Sequence, residues 1–222
     1  MKEEELFRLR KNEIRKGLLK YTRKAFGILP KIEKPRILDI GCGSGISTLE
    51  LARLSKGEII GIDIDQSALD EFVQNIKIAG LTSRVQAVNH SLFDIDFPDR
   101  SFDIIWSEGS IYAIGFKKGL QKWKRFLKPY GFMVVHDEKG NVSKKVEQIQ
   151  KCNYTLLDYF VLSQETWWSE YFAPLEQLIA EYRTILTTPQ LPKGLRQAQG
   201  ELDMFKRHPE RNSSVCFILK NA

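Results

Sequence analysis

The spacing of apolar residues along the chain alternates between two patterns. Short, nearly continuous apolar runs bounded by glycine, proline or charged residues are typical of buried strands. Such runs occur at residues 36–40, 58–62, 84–89, 102–106, 132–135, 154–162 and 215–219. Elsewhere apolar residues recur every three or four positions, as on a helix with one buried face, at 14–26, 46–52, 67–79, 116–128 and 142–150. This alternation predicts an α/β domain built on a mostly parallel sheet.

A glycine-rich turn follows the first predicted strand. Gly41, Gly43 and Gly45 allow a tight turn, so a nucleotide-like ligand can lie on the main chain at the positive end of the next helix. Ile46 occupies the third glycine position of the dinucleotide fingerprint, and no Gly-Lys-Ser/Thr of a phosphate-binding P-loop follows. Because glycine turns also occur without any ligand, this motif alone leaves both interpretations open.

An acidic residue strengthens the ligand interpretation. Asp63 ends the strand at 58–62, about twenty residues beyond the glycines, the distance at which a βαβ unit places a carboxylate against ribose hydroxyls. The glycine turn and Asp63 together indicate a nucleoside-binding site more strongly than either does alone.

Preceded by Asp39, the string Ile-Leu-Asp-Ile-Gly-Cys-Gly-Ser-Gly at 37–45 resembles the first motif of the class I S-adenosylmethionine (SAM) methyltransferases. Residues 91–103, and Ser-Glu-Gly-x-Ile-Tyr-x-Ile-Gly at 107–115, resemble the ubiquinone/menaquinone-biosynthesis type of these enzymes. The resemblance covers most of residues 36–140. It implies a Rossmann-like, doubly wound α/β sheet of seven strands in the order 3-2-1-4-5-7-6, with the last strand antiparallel and a helical cap between strands six and seven.

The resemblance also implies SAM as the cofactor, S-adenosylhomocysteine as its product, and no metal. The residues that match cofactor-binding positions of the family are Asp39, Gly41, Cys42, Gly43, Gly45, Asp63, Ile64, Ser91, Leu92 and Ser107. Ser91 departs from the family pattern, which has an acidic residue beside the adenine amino group. A serine hydroxyl still hydrogen-bonds adenine, but without the charge.

Three residues near the predicted methyl-transfer position are candidates for catalysis or acceptor contact. Glu108 and Tyr112 follow strand four, in the loop that faces the transferred methyl group in the family that the chain resembles. His136 lies at the carboxyl end of strand five, where a histidine can act as a base or orient the substrate. The alternative is a structural role for each of them.

The linker between strands six and seven is far longer than a hairpin requires, so residues 164–208 are predicted to form a structured insertion. It starts at the same sheet edge as the glycine turn. Trp167, Trp168 and Tyr171 are predicted to line a pocket for an apolar or planar acceptor; alternatively they form the packing of the cap itself. Trp168 and Tyr171 belong to a helical stripe that crosses Pro174, and Trp167 lies off that stripe.

Composition favours one domain spanning residues 1–222, with an N-terminal helical segment at 1–29 that packs on the sheet or also covers the cofactor. A further basic helix is predicted at 193–208. Three cysteines without metal or disulfide spacing fit a reducing cytoplasm. The chain contains no apolar run of about eighteen residues that could span a membrane and no signal-peptide core.

The formal net charge of +6 raises the question of nucleic acid as a partner. The basic residues alternate with apolar ones as on solvated helices, and the Pro-Pro-Tyr/Phe motif that holds a flipped base is absent after strand four. The predicted function is therefore SAM-dependent methyl transfer to a small molecule under the cap, without nucleic-acid or membrane partners. An RNA or protein methyltransferase, or a catalytically silent SAM-binding module, is the alternative, and a homodimer is left open.

Overall fold

A computed structural model of the protein describes residues 3–185 and 192–222. Within these ranges, seven strands form a sheet of order β3-β2-β1-β4-β5-β7-β6, which confirms the predicted order. Adjacent strands from β3 to β5 are parallel, and β7 pairs antiparallel with β5. The strands are β1 (Arg36–Ile40), β2 (Glu58–Asp63), β3 (Val85–Asn89), β4 (Phe102–Glu108), β5 (Leu127–Glu138), β6 (Tyr154–Leu162) and β7 (Ser214–Asn221).

Helices connect the strands and fill the long insertion. Those within the sheet region are α2 (Leu19–Ile28), α3 (Ile46–Ser55), α4 (Gln66–Ile78), α5 (Phe116–Trp123) and α6 (Val142–Lys151). The others are α1 (Glu3–Gly17), α7 (Gln164–Trp167), α8 (Ala173–Ile185) and α9 (Lys193–Arg207), with a π-turn at Trp168–Phe172. Short 3₁₀ turns occur at Ile111–Ala113, Lys124–Phe126 and Pro209–Arg211.

The register of the parallel strands places three carboxylates at one edge of the sheet. Asp39 of β1 is aligned with Gly61 of β2 and with Trp106 of β4. Asp63 and Glu108 each lie two residues beyond those partners, at the carboxyl ends of their strands. Because parallel strands end at a common edge, the three acidic residues surround the glycine turn.

Both faces of the sheet are covered, as expected for parallel strands. Alternate side chains enter two separate hydrophobic cores: Ile37 and Trp106 point to one face, and Leu38 and Ile105 to the other. All four are completely or almost completely buried. The sheet is therefore a rigid support for the residues at its carboxyl edge.

Strand β5 starts earlier than the sequence predicts. The apolar run predicts a strand that starts at 132, and Pro-Tyr-Gly at 129–131 carries the proline and glycine typical of a turn, but these residues lie inside β5. Tyr130 adopts a left-handed φ of 62°, and the pairing with β4 shifts between Phe102 and Ile104. The turn residues are thus accommodated as an irregularity in a long strand.

The chain divides into two compact units. The sheet unit consists of residues 21–161 and 214–222, and the helical unit of the described parts of 1–20 and 162–213. The predicted helix at 14–26 is interrupted at Leu18, after Gly17. α1 belongs to the helical unit, and α2 from Tyr21 onward belongs to the sheet unit. Residues 1–2 and 186–191, within the predicted segments 1–29 and 164–208, lie outside the described residues.

The helical unit has its own hydrophobic core. Its largest members are Phe7 from α1, Tyr171 from the π-turn, and Tyr182 from α8. The phenol hydroxyl of Tyr171 donates to Glu201 Oε2 at 2.9 Å, and Lys11 Nζ lies 2.7 Å from Glu201 Oε1. Apolar packing joins α1, α8 and α9, and the carboxylate of Glu201 links α1 and α9 to the π-turn.

The π-turn changes the phase of the predicted aromatic stripe. A π-turn places an extra residue in one turn of a helix, so side chains after it are rotated relative to those before it. Trp167, expected off the stripe, packs against the core of the helical unit, whereas Trp168 is 36% exposed and stacks on Phe205. The predicted positions of these two tryptophans relative to the stripe were wrong for this reason. Among the described helices, none is long and apolar enough to cross a membrane.

Candidate functional site

The glycine turn between β1 and α3 is held by β2. The N–H groups of Gly41 and Cys42 both donate to the carbonyl of Ile62, at 2.8 and 3.0 Å. Gly45 has a φ of 79°, and a Cβ on it would lie 1.9 Å from the ring of Phe72. Only glycine fits there. A Cβ on Gly43 would meet no atom of the described residues within 4 Å, so open space adjoins the turn at that point.

Asp63 fixes the turn from the end of β2. Its Oδ2 accepts from the N–H of Gly43 at 2.9 Å, and its Oδ1 accepts from the N–H of Asp65 at 3.0 Å. An ionised carboxylate has about four acceptor positions, so both oxygens retain capacity for ligand hydroxyls. Ile64, the next residue, is 69% exposed and therefore accessible to a ligand.

Asp39 is a buried acid. Its Oδ2 accepts a 2.6 Å hydrogen bond from Thr48 Oγ1 in α3, and its side chain is almost fully enclosed. Burial raises the pKa of Asp39 to about 7, the hydrogen bond from Thr48 opposes the rise, and the charges of Glu108 and Asp63 add to it. A positive charge beside Asp39 would favour its ionised form.

Glu108, at the end of β4, is held by three donors. Its Oε1 accepts from Trp106 Nε1 at 2.7 Å and from Thr22 Oγ1 at 2.9 Å, and its Oε2 accepts from Ser47 Oγ at 2.9 Å. These donors come from β4, α2 and α3. The carboxylate consequently links the first helix of the sheet unit to the helix after the glycine turn, and its orientation is fixed.

The other two candidates near the methyl-transfer position differ in exposure. Tyr112 is 70% exposed in the 3₁₀ turn after β4. His136 is partly buried, and its Nε2 lies 2.7 Å from Ser214 Oγ of β7. Burial lowers the pKa of His136 below its ordinary value, although Glu108 and Asp137 act in the opposite direction, so the imidazole is neutral at pH 7.

The remaining predicted cofactor contacts lie around the same edge. Ser107 is fully buried, and its hydroxyl is 2.7 Å from that of Ser110. Ser91 Oγ accepts from the N–H of Phe93 at 3.2 Å, so the serine also holds its own turn. Leu92 packs against one sheet core. Burial raises the pKa of the Cys42 thiol, which is therefore not a thiolate.

The three aromatic residues predicted to contact the acceptor are in the helical unit. Tyr171 is 5% exposed and belongs to the core of that unit, whereas Trp167 is partly buried and Trp168 is the most exposed. Burial raises the pKa of the Tyr171 phenol well above its ordinary range. Their contact with an acceptor stays a prediction.

Several residues that organise the edge were not found from the sequence. Ser47 and Thr48 bond Glu108 and Asp39, and their place in the first turn of α3 was a signal that could have been used. Thr22 offers only a weaker signal, a small polar residue on a buried helix face. Its partner Glu108 is 86 residues away, a pairing that sequence spacing does not indicate.

Residues 37–131 match the family model described as a methyltransferase domain. The structure of a SAM-dependent methyltransferase from Geobacter sulfurreducens, solved with S-adenosyl-L-homocysteine, superposes with a TM-score of 0.72 over 90% of each chain at 16% identity. The fold is that of the SAM-dependent methyltransferases. The matched segment contains the glycine turn, Asp63 and Glu108 of the candidate site.

Curated relatives are more similar in sequence, but they match shorter parts of the chain. An uncharacterised protein of Haemophilus influenzae is 29% identical over 135 residues, which are 60% of this chain and 54% of that protein. A sterol 24-C-methyltransferase of Yarrowia lipolytica is 28% identical over 118 residues, which are 53% of this chain and 30% of that enzyme. The chain thus spans about half of the first relative and less than a third of the second.

Proposed function

We propose that the protein transfers a methyl group from SAM to a small-molecule acceptor. The observation that carries this proposal is the set of three carboxylates, Asp39, Asp63 and Glu108, that surrounds the glycine turn. We call this set the acidic edge. SAM carries a sulfonium and an ammonium group, and a site with three nearby acids favours a cationic ligand electrostatically.

The residues at the acidic edge fit this cofactor. The open space beside Gly43 leaves room for a ligand against the main chain, and Asp63 has remaining acceptor capacity for ribose hydroxyls. A cation beside Asp39 would offset the cost of burying its carboxylate. Ser91 and Leu92, on the turn after β3, would hold the adenine, with a hydroxyl and a main-chain N–H in place of the acid of the family that the sequence resembles.

Bound SAM would supply an electrophilic methyl group, so the protein has to align the acceptor, exclude water and, where the acceptor is acidic, take a proton. Neutral His136 is suited to accept a proton. If its Nε2 donates to Ser214, Nδ1 is the basic nitrogen. Glu108 is held rigidly, which suits positioning, and exposed Tyr112 is available for acceptor contact.

A small acceptor is favoured over RNA by the way the basic residues are used. Of the six lysines and arginines at 116–128, three are engaged within the sheet unit. Lys124 donates to the Cys152 carbonyl at 2.8 Å, Arg125 lies 3.1 Å from Asp99, and Lys128 lies 2.9 Å from Asp103. The sterol 24-C-methyltransferase among the relatives adds a small-molecule precedent. The ubiquinone/menaquinone type remains part of this proposal, on the strength of residues 107–115.

Calorimetry of the full chain with S-adenosylhomocysteine and with NAD tests the cofactor. We expect saturable binding of S-adenosylhomocysteine and none of NAD, because Ile46 stands at the third dinucleotide glycine position. Equal or tighter NAD binding would overturn the proposal. A turnover screen with SAM, small acceptors and RNA then tests transfer. Binding of S-adenosylhomocysteine without turnover of any of these acceptors would favour the silent SAM-binding module.

A further inference from the structure

An open cavity of about 480 Å³ lies beside the first turns of α5 and α6 in the sheet unit. Four lysines line it, Lys117 and Lys118 from α5 and Lys144 and Lys145 from α6, and no acidic side chain is among the lining residues. We call it the lysine cavity. The sequence pattern predicts that the lysines of α5 lie on a solvated helix face. In the fold they lie beside the lysines of α6.

The four lysines differ in how their charges are balanced. Lys145 Nζ lies 2.5 Å from Asp137 Oδ2 and 4.8 Å from the ring centroid of Phe116. Lys117, Lys118 and Lys144 form no side-chain ion pair or hydrogen bond with any residue in the described ranges. Their mutual repulsion would be relieved by an anion in the cavity.

The start of α5 adds main-chain donors at the same place. Gly115 precedes the helix at a φ of 88°, and no side chain within residues 3–185 or 192–222 caps it. The N–H groups of the first turn of a helix have no intrahelical acceptor, and the helix dipole favours negative charge there. The start of α6 differs, because Asn141 Oδ1 accepts from the N–H of Lys144.

We propose that the lysine cavity binds a phosphate-like oxyanion carried by a small molecule. Its volume is within the range of small-ligand sites. Ammonium groups and free helix N–H groups are the donors that phosphate uses in proteins. The lysines surround a cavity from two helices, whereas a nucleic-acid backbone is usually tracked by an extended basic groove. The proposal does not depend on methyl transfer.

Two sources of the oxyanion share this chemistry. Gly115 follows Tyr112 by only three residues, so the anionic group could be part of the methyl acceptor. It could equally belong to a separate ligand. A phosphomonoester and its parent alcohol, assayed as a matched pair of acceptors, distinguish these sources. If the native protein prefers the phosphomonoester and a lysine variant loses that preference, the oxyanion belongs to the acceptor. If the cavity binds an oxyanion but the native protein does not distinguish the two acceptors, the oxyanion belongs to a separate ligand.

The binding test uses inorganic diphosphate and isothermal calorimetry of the full chain. In Lys117→Gln/Lys144→Gln we expect the Kd for diphosphate to rise at least about tenfold, because two charge-assisted contacts are lost. Lys122→Gln is the matched control: Lys122 lies on the same helix, is exposed and does not line the cavity, so less than about a twofold change is expected from long-range charge.

The native protein provides a second measurement that needs no variant. Its diphosphate affinity should fall severalfold between about 0.05 and 0.3 M salt, since exposed charges are screened. Absence of saturable diphosphate binding, an unchanged affinity across that salt range, or an equal loss in Lys122→Gln would overturn the proposal. Tighter binding of RNA than of diphosphate to the same lysines would also overturn it. Retained S-adenosylhomocysteine binding in the double variant separates this outcome from failure of the proposed function.

Discussion

The acidic edge and the lysine cavity carry opposite charges and differ in how their side chains are held. Both lie in the sheet unit after the carboxyl ends of strands, the first around β1, β2 and β4 and the second on the helices after β4 and β5. The carboxylates are buried or partly buried, and each accepts hydrogen bonds from neighbouring elements. The facing lysines, apart from Lys145, are exposed and unpaired within the described residues.

This difference predicts how selective each region is for its ligand. Side chains held by hydrogen bonds before a ligand arrives lose little freedom on binding, so the acidic edge is preorganised for a ligand of fixed shape. Long lysine side chains lose rotamer freedom when they close on an anion, so the lysine cavity should accept related oxyanions with lower selectivity. Substitutions in one region should therefore alter its own stability or ligand affinity and leave the other region intact.

Substitution of a glycine in the turn at the acidic edge should cause the greatest loss of stability. Gly45→Ala should destabilise the fold by about 3 kcal/mol, because the new Cβ would overlap the buried Phe72 ring and the residue is left-handed. Urea unfolding measures the loss. Gly43→Ala is the control: φ is also positive there but no atom is near, so about 1 kcal/mol is expected. Equal losses would show that packing against Phe72 does not matter.

The local elements of this edge could be predicted, but the contacts between distant elements could not. Apolar runs and the glycine turn located β1, β2 and β4 to within two residues, because buried strands and tight turns have local signatures. The sheet order came from the resemblance. The bond from Thr22 to Glu108 and the meeting of Lys117 with Lys144 depend on how remote helices pack, and the π-turn at Trp168–Phe172 has no simple sequence signal.

Substitutions at the predicted cofactor contacts should weaken S-adenosylhomocysteine binding without affecting diphosphate binding. Asp63→Ala should weaken S-adenosylhomocysteine binding by about 1.5 to 3 kcal/mol, the scale of losing charge-assisted bonds to the ribose, while diphosphate binding stays unchanged. Ser91→Ala should cost about 1 kcal/mol, since a neutral hydroxyl is removed. Calorimetry measures both. Because Asp63 also holds Gly43 and Asp65, Asp63→Asn serves as a control that keeps an acceptor oxygen. A larger effect of Ser91→Ala would contradict the assignment of the adenine turn.

The affinity of the acidic edge for its ligand should depend on pH through Asp39. Burial raises the pKa of Asp39 to about 7, so the free protein holds a proton there that a cationic ligand would displace. S-adenosylhomocysteine, through its ammonium group, should bind more tightly as pH rises from 6 to 8, by up to about tenfold per pH unit below the pKa, and then level off. Asp39→Asn should abolish this dependence.

Without ligand, Asp39 should lower the free energy of unfolding as pH rises from about 4 to about 7, because the folded state binds the extra proton.

The smallest effect tests whether the charge of the acidic edge matters apart from its hydrogen bonds. Glu108→Gln keeps an oxygen for Trp106 and Thr22, and the Ser47 hydroxyl can rotate to accept from the new amide, so stability should change by less than about 1 kcal/mol. Removing one charge beside a bound cation should still weaken S-adenosylhomocysteine binding about fivefold. Glu58→Gln makes the same change in charge at the amino end of β2, the opposite edge of the sheet, and should leave affinity within about twofold. If both variants bind equally well, the three carboxylates organise the backbone but do not select a cation. If only Glu108→Gln binds more weakly, the selection is local, and turnover at saturating SAM then decides whether this carboxylate also moves a proton.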